Sequence, residues 1–164
     1  MDGWRTDRWL ALGLAAAIAL PARAEEPPKP NLEFAFELNV SQGADIKVAD
    51  TAHGGRNIIP ITGGTFEGPR IRGTILPGSD DWQLIRPGGC VEIQAAYILQ
   101  TDDGAVIHVV DRGLAGCGPV RTTPTFEAPI GKYDWLSKSV FVGMLQSASS
   151  GAHRGIRVRF YRVR

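Results

Sequence analysis

Apolar and polar residues alternate along most of the chain with a period of two. In LEFAFELNV, residues Leu32, Phe34, Phe36, Leu38 and Val40 share one face, and Glu33, Ala35, Glu37 and Asn39 the other. That spacing marks a half-buried strand. Strand-like stretches recur at Ile46–Val48, Asn57–Ile61, Arg70–Leu76, Trp82–Arg86, Cys90–Thr101, Ala105–Arg112, Pro119–Glu127, Lys138–Gln146 and Gly155–Val163. Turn formers separate many of them: Pro77-Gly78, Pro87-Gly88-Gly89, Asp102-Asp103-Gly104 and Ser149-Ser150-Gly151. Thr101-Asp102-Asp103-Gly104 is the clearest hairpin. Tyr133–Lys138 is at most one helical turn.

The pattern predicts an all-β domain over residues 32–164. Roughly eight to ten antiparallel strands imply a barrel or a sandwich. A single closed barrel, calycin- or lipocalin-like in appearance, is preferred because closure removes sheet edges. The densest punctuation lies in Asn57–Trp82, with Gly63, Gly64, Gly68, Gly73, Gly78, Pro60, Pro69 and Pro77. Those residues break helices and set turns or bulges. The stretch ends in two carboxylates against an indole, Asp80-Asp81-Trp82.

Residues 1–24 depart from this pattern and read as a secretory signal. Arg5 and Arg8 precede the apolar run Trp9–Leu20, and Ala22-Arg23-Ala24 fits a cleavage site. Spanning a bilayer takes about 20 apolar residues, so a stable membrane anchor is not expected. No cysteine follows the run for lipid attachment, and no Arg-Arg pair marks a twin-arginine route. The expected location is periplasmic or secreted, with residues 25–31 as a proline-rich linker. Without residues 1–24 the chain keeps 15 basic and 15 acidic residues. That balance argues against nucleic acid or an anionic membrane as the main partner. Cys90 and Cys117 are the only cysteines, and an exported pair suggests a disulfide, although spacing alone does not show that the sulfurs meet.

A second line of reading comes from motifs. They begin with Ile58-Ile59-Pro60-Ile61-Thr62-Gly63-Gly64, Thr65-Phe66-Glu67-Gly68-Pro69, Gly73, Leu76-Pro77-Gly78 and Asp81-Trp82. Tyr97, Thr101-Asp102-Asp103-Gly104, Arg112-Gly113, Arg121-Thr122-Thr123-Pro124, Phe126-Glu127, Trp135-Leu136 and Phe141-Val142-Gly143 follow. With these the chain from about Leu32 to Val163 resembles domain of unknown function 3237, also called uncharacterised protein family 0311. The resemblance implies a compact β-barrel and brings no activity or catalytic residue with it. This chain departs from the family in its added leader and in a shortened segment between Arg112 and Arg121, which would place Cys117 at the rim.

Candidate chemistry follows from which polar groups a barrel would turn inward. Asp81 follows a Pro-Gly turn beside Trp82. It reads either as a carboxylate at the barrel mouth with its pKa raised by the indole, or as a turn carboxylate bonding backbone amides. Tyr97 sits on the apolar face of VEIQAAYILQT, as a phenol facing a substrate or as a core tyrosine. Glu127 is a second candidate base, and Arg112 and Arg121 are candidate anchors for a ligand anion. Alternatively these three form an internal ion pair, since a buried charge needs a partner. Trp82 and Trp135 would supply apolar walls. In AVIHVVDR, Ala105, Ile107, Val109 and Asp111 form the more apolar face, which turns His108 toward solvent.

No motif implies a cofactor. His53, His108 and His153 lack metal-ligand spacing, and the glycines of Thr62–Gly64 do not open a helix as a phosphate loop does. Three functions are compatible with this pattern. The first is a barrel binding a small, partly apolar, anionic or carbonyl-bearing molecule. The second is a cofactor-independent acid–base enzyme (isomerase, cyclase, lyase or hydratase) using Asp81 or Glu127 with Tyr97 or an arginine. The third is a filled structural barrel.

Overall fold

The computed structural model describes residues 26–149 and 154–164. The expected leader, and Ser150 and Gly151 of the last expected turn, lie outside the described residues. Ten strands follow in order: β1 (Leu32–Gln42), β2 (Ile46–Thr51), β3 (Gly54–Glu67), β4 (Arg72–Ile75), β5 (Ser79–Ile85), β6 (Val91–Thr101), β7 (Val106–Ala115), β8 (Arg121–Glu127), β9 (Phe141–Ser147) and β10 (Gly155–Val163). No described residue is helical.

The ten strands make a closed antiparallel barrel of eight staves, because two staves are broken. Along one side of β3, β1 pairs from Glu37↔Glu67 to Gln42↔Ile61, and β2 then continues from Ile46↔Ile58 to Thr51↔Gly54. Along its other side β4 pairs at Gly64↔Ile75 and β5 from Ile61↔Ser79 to Gly55↔Ile85. The second break is Leu76-Pro77-Gly78. Pro77 has no N–H for a ladder, and Gly78 has φ 99°, a region costly for other residues. The ring closes where β1 meets both β10 and β3.

Gly63-Gly64 is not a turn, for β3 runs straight through it. A Cβ on Gly64 would stand 2.2 Å from the Asn39 carbonyl, so glycine lets β1 approach. The expected bulge sits at Thr62, where Ser41 pairs with Gly63 but Gln42 with Ile61. Pro124 lies within β8 without interrupting it. β8 pairs with β9 at Arg121 and Thr122, so the missing N–H falls beyond that ladder.

One end of the interior is aromatic. Phe36 packs on Phe66, Phe126 and Phe160 with ring centroids 5.2 to 6.0 Å apart, mostly edge to face. The segment between β8 and β9 plugs this end with Tyr133, Trp135 and Leu136, all buried. It forms a run of turns, held by Asp134 N–H to Gly131 O at 3.3 Å, Leu136 N–H to Tyr133 O at 3.1 Å and Lys138 N–H to Asp134 O at 3.2 Å. Tyr133 Oη and Lys132 Nζ donate to Asp103 at 2.9 and 2.7 Å, which ties the plug to the β6–β7 hairpin. At the opposite end Cys90 and Cys117 form a disulfide, with Cα atoms 5.3 Å apart. The Val91↔Ala115 pair beside them brings the two cysteines together.

Candidate functional site

Away from the plug the inner wall turns polar. Asp81 on β5 is paired with Ala95 on β6, and Ala95 with Asp111 on β7. The two carboxylates therefore stand in one rung, two strand spacings or about 10 Å apart at Cα. Only the methyl of Ala95 lies between them on the wall. Both are buried, Asp81 at 6% and Asp111 at 5% exposure.

Each carboxylate is held by one oxygen. Thr122 Oγ1 donates to Asp111 Oδ2 at 3.0 Å, and Gln83 Nε2 donates to Asp81 Oδ2 at 2.9 Å. Asn57 Nδ2 donates to Gln83 Oε1 and to Asp45 Oδ2, and Asp45 accepts from Arg154. A polar chain thus runs from Asp81 to the half-exposed Arg154 at the surface. Thr122 reaches Asp111 because its neighbours are glycines. A Cβ on Gly143 would stand 2.1 Å from Thr122 Oγ1, and one on Gly113 would stand 2.6 Å from Thr122 Cγ2.

The other oxygens are free. Oδ1 of Asp81, Asp111 and Asn57 are each buried with no hydrogen-bond partner among the described residues. Buried acceptors are seldom left so, since each costs desolvation with no return. Burial favours the protonated form of both carboxyls. Burial pushes Asp111 up to about 7, with the Thr122 hydroxyl opposing and the Asp81 charge adding to the rise. Burial also raises Asp81, against Gln83 and the Gln94 backbone amide, which comes near without satisfying Oδ1. One rung deeper, burial and then the Asp111 charge hold Tyr97 well above the usual phenol range, so it stays neutral. The rung therefore offers an acid and a base in a dry setting.

The expected site residues divide between the two faces of the wall. Asp81 and Tyr97 point inward. Asp81 lies within β5, not in the preceding turn, because the break at Leu76-Pro77-Gly78 lets the strand resume at Ser79. Trp82 alternates with Asp81 and lies outside, 48% exposed, so it walls no interior pocket. Arg112, Arg121 and Glu127 are exposed for the same reason, alternating with buried Asp111, Thr122 and Phe126. They form no internal ion pair: Glu127 faces His108 at 3.8 Å on the outer wall, and Arg121 Nη1 donates to the Val120 carbonyl. Trp135 is buried in the plug against Phe141. Trp82, Tyr97 and Trp135 thus belong to three different surroundings.

Asp111, Thr122, Gln83 and Asn57 join the site without having been singled out from sequence. Asp111 had a signal, a lone carboxylate in step with Ile107 and Val109. The others show only once the staves are in register. The larger clefts lie elsewhere. One of about 460 Å³ runs from Glu67 to Arg72 beside Tyr133. One of about 320 Å³ on the outer wall holds Trp82 and Arg112. Another of about 320 Å³ holds Cys117 and Arg121. Asp81, Asp111 and Tyr97 line none of these three. Among the described residues, no three His, Cys, Asp or Glu side chains gather as a metal site.

Known proteins share this architecture. A crystal structure of a β-barrel-like protein from Acinetobacter baumannii matches with a TM-score of 0.76 at 31% identity, over 85% of this chain and 99% of that one. A UPF0311 protein of Rhodopseudomonas palustris (strain TIE-1) is 36% identical over 134 residues, covering 70% of this chain and 88% of the relative. The hydroalkoxylation enzyme phnH of Penicillium herquei is 32% identical over 133 residues, covering 74% of this chain and 78% of the relative. Residues 30–119 match the family described as "Protein of unknown function (DUF3237)". On profile, sequence and barrel alike, the chain belongs to the DUF3237, or UPF0311, family.

Proposed function

We propose that this barrel is a cofactor-independent acid–base enzyme that adds an O–H across a carbon–carbon double bond within one small, partly apolar molecule. The observation that carries this is the inward rung of Asp81 and Asp111, each with a free buried oxygen. A relative that is itself a hydroalkoxylation enzyme supports the same class of reaction. Substrate enters from the end lined by Asp45, Asn57 and Gln83. The Asp81 carboxylate takes the hydroxyl proton while the oxygen bonds to one alkene carbon. The π bond breaks, and the Asp111 carboxyl gives its proton to the other carbon. A proton then returns from Asp81 to Asp111, so atoms and charge balance and nothing else is consumed. Binding without turnover is the weaker reading, because Arg112, Arg121 and Trp82, the anchors it needs, lie outside. The Cys90–Cys117 bridge supports action in an exported, oxidising setting.

The test is a panel of alkenols and 2-alkenylphenols incubated with the protein in D2O. The expected product is a cyclic ether with one deuterium on carbon. Asp111→Asn and Asp81→Asn should each slow it by about 10²–10⁴-fold. No cyclisation by the wild type, or full rates in both variants, would refute the mechanism.

A further inference from the structure

At the plugged end a second polar cluster has the opposite sign. Arg162 keeps step with Val158 and Phe160 on β10, so the strand carries it to the inner side at the barrel's last rung. Its Nε is buried and has no hydrogen-bond partner among the described residues, and the same is true of Trp135 Nε1. Both residues line a cleft of about 50 Å³ that also touches Arg70, Phe34 and Glu33. The Arg70 guanidinium lies over the Trp135 ring, 4.5 Å from its centroid.

Both orphaned atoms are donors, and neither guanidinium nor indole can accept. A water would satisfy them but bring two more hydrogens needing acceptors. A negative ion brings none. The Glu33 carboxylate in this cleft is engaged by Arg164 Nε at 2.5 Å, and its single charge is shared among Arg164, Arg162 and Arg70, so positive charge is left over. The volume has room for one or two water-sized groups, which suits a compact ion and not a phosphate ester.

We propose that this cleft binds one small monovalent anion, a halide or the carboxylate head of a small acid, between Trp135 Nε1, Arg162 Nε and the Arg70 guanidinium. The ion would fasten the plug to β1 and β10. The site lies at the far end from Asp81 and Asp111 and does not depend on their chemistry.

Crystals grown in bromide, and separately in formate, test this and distinguish the two sources. An anomalous bromine peak, or planar formate density, against Trp135 and Arg162 supports the proposal. Water alone in both, or Glu33 turned onto Arg162 Nε, overturns it. In solution, the melting temperature should rise with chloride, bromide or formate at constant ionic strength set by bulky gluconate. Arg162→Gln should weaken the apparent affinity roughly tenfold to a hundredfold. Trp135→Phe, which removes the N–H and retains an aromatic ring, serves if Arg162→Gln does not fold. Glu33→Gln should tighten binding by removing a competing negative charge. An anion response identical in wild type and Trp135→Phe overturns the site.

Discussion

The two ends of this barrel's interior are made of opposite materials. Around Phe36 the wall is ring against ring, and Phe36, Leu99, Ile107, Val109 and Phe160 show no exposed surface. Around Asp111 it is carboxyl, hydroxyl and amide, with three buried oxygens unpaired. Burial of apolar area stabilises the first end, at about 1.5–3 kcal/mol for each large side chain. Burial of carboxylates opposes folding at the second, and the cost appears as raised pKa values. The contrast teaches that stability and reactivity occupy different rungs of one wall.

The largest effect should come from the aromatic end. Phe160→Ala removes a ring that packs on both Phe36 and Phe126, at 5.2 and 5.7 Å. The expected loss is about 3–5 kcal/mol, read as a lower urea midpoint.

Asp111→Asn should do the reverse. Asp111 holds its proton to about 7 in the fold but to about 3.8 ordinarily. Between those values the folded state binds more protons than the unfolded one. Wild-type stability from this group is therefore greatest below pH 4, falls as pH rises toward 7, and levels off above. Asparagine cannot ionise, so the variant should gain on the wild type across that window, by up to about 4 kcal/mol. Urea midpoints at pH 4.5 and pH 8 check this. A variant less stable at pH 8 than the wild type would remove the contrast between the ends.

Gly143→Ala sharpens the boundary between them, since its Cβ would press on Thr122 Oγ1 at 2.1 Å and the Phe160 ring at 3.0 Å. Overpacking there should cost about 1–3 kcal/mol. Pushing Thr122 off Asp111 should also raise the Asp111 titration midpoint, visible in carboxyl carbon shifts against pH. The smallest effect belongs to the outer wall. Glu127→Gln and Arg121→Ala should change stability by no more than about 0.5 kcal/mol and leave turnover unaltered.

Much of the wall was legible residue by residue. The alternation that puts His108 opposite Val109 also puts Arg112 opposite Asp111. Followed strictly, it already turns Arg112 outward and a carboxylate inward. Reading Arg112 as an anchor gave charge more weight than period. Asp81 was harder, because Pro77-Gly78 suggests a turn reaching Asp80-Asp81 when the strand in fact resumes at Ser79. Charge alone does not set Arg162 apart from Arg157 and Arg159 on the same strand, which face solvent and pair with Glu37.

The sequence by itself determined the strands, most of their turns, and which residues share a side of each strand, because a pleated backbone sends neighbouring side chains to opposite faces. Only the tertiary structure decided which side became the interior and which distant residues meet there. Asp81 and Asp111 lie 30 positions apart in the chain, and Thr122 another 11 beyond. They share a site because antiparallel register aligns Asp81 with Ala95, Ala95 with Asp111, and Gly113 with Thr122. That alignment depends on where each turn ends and how the ring closes, which are properties of the whole sheet and not of any one strand.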